Sequence, residues 1–331
     1  MDDSPPRSLS SLSVAVVGYG SIGRRHCDNL GELGIARRLV VRRQTGARAA
    51  FAPPAGVTVV HSAKAALAGG VDLAIVCNPT RWHVDTALEY VSAGVPVLVE
   101  KPISSDLAAA ERLSTEAARG GVWAGMAYSL RYHPAYHLAR EAILAGRIGR
   151  VLYAKAWFEG YLPDWHPWED FRQSYAARRD LGGGALPTLD HEIDYFNWCL
   201  GTAVSAVGRT ANSGALGIDA DDVAMVTVGY PAGVVAGAVF SFCRRDRSRG
   251  FEFVGSEATL TMRFETSRLE LLPGQDQPAE VLWEGIGYDL NDMYLEMLRG
   301  ALTALAGGHP PPVALQAGVD ALRVALVYTT P

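Results

Sequence analysis

Two side chains have the chemistry to move a proton to or from a substrate, Lys101 and His191. Lys101 lies in a Glu-Lys-Pro turn after an apolar run, where an amine with a lowered pKa could exchange a proton with a substrate hydroxyl group. His191 follows a Gly-Gly-Gly segment, and its imidazole titrates near neutrality. A surface lysine and a histidine satisfied by helix packing are the ordinary alternatives.

The residues around His191 supply a third candidate for catalysis. Asp190 directly precedes the histidine, and Glu192 and Asp194 follow it on a predicted helix. Imidazoles and carboxylates also bind divalent ions, but no spacing here is diagnostic of a metal site. His133 and His137, one helical turn apart, are interpreted as helix-surface residues. We therefore expect no metal.

A glycine pattern near the start of the chain predicts a dinucleotide site. The apolar run Val14–Val17 leads directly into Gly-Tyr-Gly-Ser-Ile-Gly, and a helical pattern follows. Glycines in such a strand–turn–helix allow a tight turn, close approach of backbone to a pyrophosphate, and close helix–strand packing. The predicted cofactor contacts in this turn are Gly18, Gly20, Ser21, Ile22 and Gly23.

Two arginines after the second predicted strand bear on the choice of cofactor. A carboxylate there would accept hydrogen bonds from a ribose 2′-hydroxyl, but the sequence has Arg42 and Arg43 instead. A guanidinium pairs with a 2′-phosphate through two parallel hydrogen bonds, so NADP(H) is preferred and NAD(H) remains possible. The alternative is that both arginines are merely exposed at a strand end.

Two further turns end predicted parallel strands, and they belong to the same edge of the sheet as the glycine turn. The cofactor contacts predicted in them are Asn78, Pro79, His83, Glu100 and Lys101. Because ligands of such sheets bind outside the carboxyl ends of the strands, these turns are expected to lie near a nicotinamide.

Substrate contacts are predicted in the second half of the chain. Tyr161–Asp170 is rich in aromatic, proline and acidic residues, which is typical of a polyol pocket, although the rings of an irregular loop can equally fill a core. The predicted substrate-binding residues are Tyr161, Trp165, Trp168, Thr188, Asp190 and His191.

The pattern of elements predicts an α/β protein with two domains. Up to residue 127, short apolar strands alternate with helices, as in a doubly wound parallel sheet of the Rossmann type. Beyond Gly149 the chain is strand-rich with short connections, which indicates a mostly antiparallel sheet. We predict a disordered lead over 1–12, a dinucleotide-binding domain over 13–127, and a substrate and oligomerisation domain over 128–331. A closing helix over 314–328 is predicted to pack back on the first domain.

Composition excludes several classes of function. The 331 residues carry a net charge of −5, which argues against a nucleic-acid partner, and Arg244, Arg245, Arg247 and Arg249 are interpreted as one solvated loop. No apolar run approaches a membrane span, and the first residues lack a signal-peptide pattern. Four widely separated cysteines form no CxxC pair and imply no disulfide. We expect a cytoplasmic protein.

Taken in order, four motifs resemble the Gfo/Idh/MocA family, named after glucose–fructose oxidoreductase, inositol dehydrogenase and rhizopine catabolism. They are Gly18–His26, Asn78–His83, Glu100–Pro102, and the triple glycine before His191. The resemblance implies that the second, mostly antiparallel sheet is open and that its outer face forms a dimer or tetramer. It also implies that Lys101 and His191 are catalytic. Many members place an aspartate where this chain has Thr188, so either Asp190 substitutes for it, or Lys101 and His191 work alone, or the substrate is oriented differently.

The expected function is hydride transfer between a nicotinamide and a sugar, a nucleotide-linked ketosugar or an (amino)cyclitol. The segment from Tyr161 to Gly184 resembles a family branch of bacterial surface-sugar, nucleotide-sugar or natural-product metabolism. Two alternatives stay open: reduction of an imine or a double bond on the same fold, and a non-catalytic dinucleotide-binding regulator.

Overall fold

The computed structural model describes residues 8–42, 53–167, 170–274 and 276–326. The chain divides into two compact units: unit 1 comprises Met1–Tyr128 and Tyr294–Val319, and unit 2 comprises Ser129–Met293 and Asp320–Pro331. In the predicted lead, Leu9–Ser11 form a short 3-10 turn. The domain boundaries expected from the sequence, and the packing of the closing helix, stay predictions.

Unit 1 is built on a parallel sheet. Its strands within the described ranges are β1 (Ser13–Val17), β2 (Arg37–Val41), β3 (Val57–Val60), β4 (Leu73–Val76), β5 (Val97–Val99) and β6 (Ala124–Met126). They lie in the order β3-β2-β1-β4-β5-β6, and every neighbouring pair is parallel. All residues of β1 and β4 are buried, as expected for parallel strands covered on both faces.

Helices connect these strands. They are α1 (Ser21–Glu32), α2 (Ala63–Ala68), α3 (His83–Val91) and α4 (Leu107–Arg119). Ser62 and Asp106 cap α2 and α4, because each side chain accepts a hydrogen bond from a backbone N–H in the first turn. Strand, turn and helix therefore follow from local sequence signals, and each strand delivers its following turn to the same edge of the sheet.

Unit 2 contains a larger sheet, preceded by α5 (Pro134–Leu144). The described strands are β7 (Val151–Tyr161), β8 (Ser205–Ala211), β9 (Val223–Gly229), β10 (Val235–Ser241), β11 (Cys243–Gly255), β12 (Thr259–Arg263), β13 (Arg268–Leu272) and β14 (Glu280–Glu284). Their order is β14-β13-β12-β11-β7-β10-β9-β8, with β7 and β10 parallel and the remaining neighbours antiparallel. Helices α6 (Ala185–Thr188) and α7 (His191–Leu200) lie between β7 and β8 in the chain.

One face of this sheet forms a core and the other is exposed. Along β9, buried and exposed positions alternate, so Val226 is buried while Met225 is exposed. Helices α5, α6 and α7 contact strands of the sheet. The chain continues as α8 (Asn291–Ala306) and α9 (Leu315–Leu326), and none of the helices in the described ranges is long and apolar enough to cross a bilayer.

The predicted fold class is confirmed: a parallel Rossmann-type sheet and a second, mostly antiparallel sheet. Three details differ. Strand β14 was not predicted. The interpretation of the arginine cluster as a solvated loop is wrong, because β11 begins at Cys243, so the four arginines lie in a strand and Arg249 is buried. The prediction that His133 is a helix-surface residue is also wrong, because His133 caps α5 and is buried.

Candidate functional site

The glycine turn joins β1 to α1 in unit 1. Gly18 has a φ of 98°, and a Cβ built on it would lie 2.7 Å from the backbone nitrogen of Asn78. A Cβ on Gly23 would collide with the carbonyl oxygen of Gly18, so this glycine lets the helix start close to the strand end. Around Gly20, the N-cap, the space for a Cβ is open. The turn therefore fits a dinucleotide pyrophosphate, which backbone N–H groups at the start of α1 would bind.

The other predicted contacts near this turn lie at the start of α1 and the end of β2. Ser21 and Ile22 are the first two residues of the helix. Arg42 directly follows β2 and is half-buried, and its carbonyl oxygen accepts a hydrogen bond from Nδ1 of His61 at 2.9 Å. Arg43 lies outside the described residues.

The turn after β4 is fixed by a buried histidine. His83 places Nδ1 2.8 Å from the carbonyl oxygen of Pro102 and Nε2 2.7 Å from that of Asn78. Burial lowers the pKa of His83, and this effect is larger than the opposite effect of the hydrogen bonds to the two carbonyl oxygens. The ring is therefore neutral and donates to one carbonyl oxygen at a time. Asn78 donates in turn to Thr86 at 2.8 Å, and Pro79 lies half-buried beside it. His83 thus ties the turn after β4 to the turn after β5.

Glu100 holds the backbone of the turn that carries Lys101. Its buried carboxylate lies 2.6 Å from Nε2 of His26 through one oxygen, and its other oxygen accepts the N–H of Lys101 at 3.2 Å. His26 is fully buried on α1, directly after the glycine turn. Glu100 was predicted as a cofactor contact, but its side chain is directed at His26. The half-buried Lys101 follows β5 at the same sheet edge as the other turns.

In unit 2, the triple glycine precedes the helix that begins at His191. Gly182 and Gly184 have φ of 83° and 131°, and a Cβ on Gly183 would collide with the carbonyl oxygen of Tyr175. These glycines let the loop pack against its own backbone before α6 begins. The three predicted site residues that follow are all buried, namely Thr188, Asp190 and His191. The structure brings them together where α6 meets α7.

Two buried ion pairs anchor the first turn of α7. Asp194 accepts two hydrogen bonds from Arg131, at 2.9 and 2.6 Å. Glu192 accepts one from Nε of Arg249 at 2.7 Å, and both of these side chains are buried. Both carboxylates follow His191 within the first turn of α7, so the pairs fix the rotation of the helix that carries it. Sequence reasoning missed His26, Arg131 and Arg249, because each acts through a partner distant along the chain.

Of the three aromatic substrate contacts predicted in Tyr161–Asp170, the structure describes Tyr161 and Trp165. Trp165 stacks on Phe158 with ring planes 17° apart and meets Phe242 edge-on, so its faces take part in packing. Arg245 lies over the ring of Tyr161 at 4.3 Å. Trp168 lies outside the described residues.

Comparison with known proteins assigns the chain to a family. The model "Oxidoreductase family, NAD-binding Rossmann fold" matches residues 12–128, and "GFO/IDH/MocA C-terminal domain" matches residues 136–261. Together the two models cover most of the chain, which therefore belongs to the Gfo/Idh/MocA oxidoreductase family.

Two curated relatives match part of the chain. Myo-inositol dehydrogenase Hyg17 from Streptomyces leeuwenhoekii is 32% identical over 59% of this chain and 58% of its own length. 1,5-Anhydro-D-fructose reductase from Ensifer adhaerens is 30% identical over 58% of this chain and 57% of its own length. The chain thus spans less than two thirds of either relative. Levoglucosan dehydrogenase in complex with NADH has the same fold, with a TM-score of 0.81, 17% identity, and coverage of 96% of this chain and 95% of that one.

Proposed function

We propose that the protein is an NAD(P)-dependent oxidoreductase that transfers a hydride between the nicotinamide and a carbon of a sugar, a nucleotide-linked ketosugar or an (amino)cyclitol. One observation carries the proposal: the glycine turn and the Lys101 turn lie at one sheet edge, joined by the contact of Glu100 with His26 on the glycine-turn helix. The names of the two curated relatives, an inositol dehydrogenase and an anhydrofructose reductase, support this substrate class.

Lys101 and His191 handle the proton in this proposal. When bound, the nicotinamide accepts or supplies the hydride at C4. During oxidation, Nζ of Lys101 and the imidazole of His191 take the hydroxyl proton as the hydride leaves; during reduction they return it. Asp190, buried beside His191, is the proposed third member in place of the family aspartate, whose position is occupied by Thr188. Both Asp190 and Thr188 are proposed to contact the substrate.

Replacement of the two proton-transfer residues tests the mechanism. Lys101→Met and His191→Asn are each expected to lower kcat by roughly 10²- to 10⁴-fold, the usual contribution of a positioned acid or base. The assay follows nicotinamide absorbance across a panel of sugars, cyclitols and nucleotide sugars. Lys64→Met, at an exposed lysine of α2, is the matched control and should keep the parental rate. Folded variants that turn over substrate at the parental rate would refute these roles.

Arg42 supports a preference for NADP(H). Its position directly after β2 suits a guanidinium that pairs with a 2′-phosphate, and Arg43 is proposed to assist. Levoglucosan dehydrogenase, which shares the fold, binds NADH, so NAD(H) is the competing cofactor. Titration with NADPH and NADH decides between them: tighter NADPH binding that Arg42→Ala abolishes supports the proposal, and tighter NADH binding contradicts it.

The exposed face of the unit 2 sheet supports a homo-oligomer. Its apolar side chains include Tyr153, Val207, Met225 and Val235, which are all exposed. Exposed apolar side chains on one face of a sheet favour association between copies. Light scattering is expected to report a dimer or tetramer that Met225→Lys weakens, whereas a monomer at all concentrations would refute it.

Two other functions remain distinguishable by experiment. An imine or double-bond reductase would use the same cofactor turn but would oxidise NADPH with those substrates and not with ketosugars. A non-catalytic regulator would bind the dinucleotide without turning over any member of the panel.

A further inference from the structure

The ends of β2 and β3 lie beside the glycine turn, and a series of hydrogen bonds joins the three. The N–H of Gly18 donates to the carbonyl oxygen of Val41 at 3.1 Å, and the N–H of Arg42 donates to that of Val60 at 2.9 Å. Nδ1 of His61 lies 2.9 Å from the carbonyl oxygen of Arg42. Because β2 lies between β1 and the edge strand β3, this corner of the sheet ends in the glycine turn, Arg42 and His61.

The position of the proton on the His61 ring follows from its partner. A carbonyl oxygen only accepts hydrogen bonds, so Nδ1 carries the hydrogen and donates it to Arg42. The ladder between β2 and β3 ends where Val41 pairs with Val60, so the carbonyl group of Arg42 lies beyond the ladder. There the imidazole supplies the donor. Arg42 is therefore held through both its N–H and its carbonyl group, although it lies outside the strands.

The backbone of His61 is itself held on both sides. His61 lies between Val60, the last residue of β3, and Ser62, the N-cap of α2. The hydroxyl group of Ser62 accepts the N–H of Ala65 at 3.1 Å, which stabilises the start of the helix. A single residue between a paired strand and a capped helix has little freedom to move. The exposed imidazole of His61 is thus a firm support for the backbone of Arg42.

The side chains at this corner suit a phosphate group. The described residues that directly follow β2 and β3 are Arg42, His61 and Ser62, and none of them has a carboxylate to accept a ribose 2′-hydroxyl group. A guanidinium binds phosphate through two hydrogen bonds of fixed geometry, so its affinity depends on how its own backbone is held. A backbone fixed before binding lowers the conformational entropy that the complex loses. The support from His61 should therefore strengthen phosphate binding by Arg42.

We propose that His61 is a positioning residue for recognition of the 2′-phosphate of NADP(H), acting through the backbone of Arg42. This inference rests on the NADP(H) preference in the proposed function and adds a residue that the sequence did not single out. Because His61 acts on recognition of the one group that distinguishes the two cofactors, it determines specificity and not dinucleotide binding in general. Its replacement should weaken binding of a 2′-phosphorylated ligand and leave binding of the unphosphorylated counterpart unchanged.

Two adenosine ligands separate the 2′-phosphate from the rest of the cofactor, namely adenosine 2′,5′-bisphosphate and adenosine 5′-monophosphate. In calorimetric titrations of the full chain, His61→Leu should weaken binding of the bisphosphate about three- to tenfold, the scale of one neutral hydrogen bond, and change binding of the monophosphate less than about twofold. His61→Asn places an amide N–H the same number of bonds from the backbone as Nδ1 and should restore most of the affinity. His309→Leu, at an exposed histidine of unit 1, is the matched control and should bind both ligands as the parent does.

A double-mutant cycle with Arg42 tests the route of the effect. Arg42→Ala removes the guanidinium, so the addition of His61→Leu to this variant should change bisphosphate binding by less than about twofold. The inference is overturned if His61→Leu weakens binding of both ligands alike or leaves bisphosphate binding unchanged. It is also overturned if His61→Asn fails to restore the affinity, or if the full effect of His61→Leu persists in the Arg42→Ala variant.

The failure of this inference is distinguishable from that of the proposed function. Bisphosphate binding that depends on Arg42 but not on His61 refutes only the positioning role. A bisphosphate that binds no more tightly than the monophosphate refutes the NADP(H) preference and this inference with it, whereas turnover of the substrate panel would still support hydride transfer. Selective bisphosphate binding that depends on His61, without turnover of any panel member, refutes only the oxidoreductase.

Discussion

The Lys101 turn and the start of α7 each carry one proposed catalytic side chain, but different forces hold them. In unit 1, a histidine–carboxylate hydrogen bond and backbone carbonyls position the turn, through His26, Glu100 and His83. In unit 2, two buried ion pairs fix α7. Loss of Arg131 or Arg249 strands a buried carboxylate without its cation, whereas Glu100 without His26 still accepts the N–H of Lys101, so the first loss costs more than the second. The two regions should therefore respond very differently to substitution.

The largest effect is expected from the ion pair between Arg131 and Asp194. Arg131→Met leaves a carboxylate that is almost fully buried without its partner, so the free energy of unfolding should fall by about 3–5 kcal/mol in urea titrations. The double variant Arg131→Met with Asp194→Leu removes both charges and should recover most of this loss. A single variant as stable as the parent would contradict the contrast between the regions.

The buried His133 should make unit 2 sensitive to acid. Its pKa is about 3 in the folded chain, mainly through burial, and Nδ1 accepts a hydrogen bond from the N–H of Ala135, which only a neutral ring can do. Since the unfolded chain binds the proton first, stability is complete above pH 6.5 and is lost as the pH falls towards 3. The loss should be about 1.4 kcal/mol per pH unit, or about 2–3 kcal/mol at pH 4.5.

His133→Asn retains a capping acceptor and should remove this part of the pH dependence of unfolding. His137→Asn, at an exposed histidine one helical turn further on, should leave it unchanged. Equal pH profiles for the parent and His133→Asn would show that His133 does not carry the acid sensitivity.

Replacement of two glycines of unit 1 by alanine should separate effects on packing from effects on dinucleotide binding. Gly23→Ala drives a methyl group into the carbonyl oxygen of Gly18 and should lower the free energy of unfolding by about 1–3 kcal/mol without any ligand. Gly20→Ala meets open space, so stability should be kept while NADH or NADPH binds more weakly. Melting temperatures and dinucleotide titrations measure the two effects, and identical behaviour of the variants would contradict the assigned roles.

The smallest effect is expected from the hydrogen bond between His26 and Glu100. His26→Leu removes the donor that orients Glu100, so the Lys101 turn loosens and kcat should fall about tenfold, equivalent to about 1.4 kcal/mol. His26→Gln restores an N–H donor and should recover most of the rate. A fall in melting temperature without a change in kcat would show that the pair serves stability alone.

Local patterns made much of unit 1 predictable. The glycine turn, the Glu-Lys-Pro turn and the buried strands are each encoded by a few adjacent residues, and the observed sheet confirms the fold that they predicted. By contrast, Arg249 and Glu192 are 57 positions apart, and nothing beside either residue indicates its partner. The arginine cluster was interpreted as a loop because clustered charges are usually solvated, whereas in the structure these residues extend β11, whose register against β7 shifts between Cys243 and Ser248. β14 was missed because it is a short strand without fully buried residues.

The carbonyl oxygen of Val313 accepts a hydrogen bond from the N–H of Met126 in β6, and Gly125 pairs with Ala314. β6 is the last strand of the unit 1 sheet, so this late segment covers its edge. During synthesis, a ribosome that has finished β6 still has to make all of unit 2 up to Met293 before the covering segment emerges. The nascent sheet therefore presents an open strand edge for much of translation, the kind of edge that recruits other strands and is protected by chaperones.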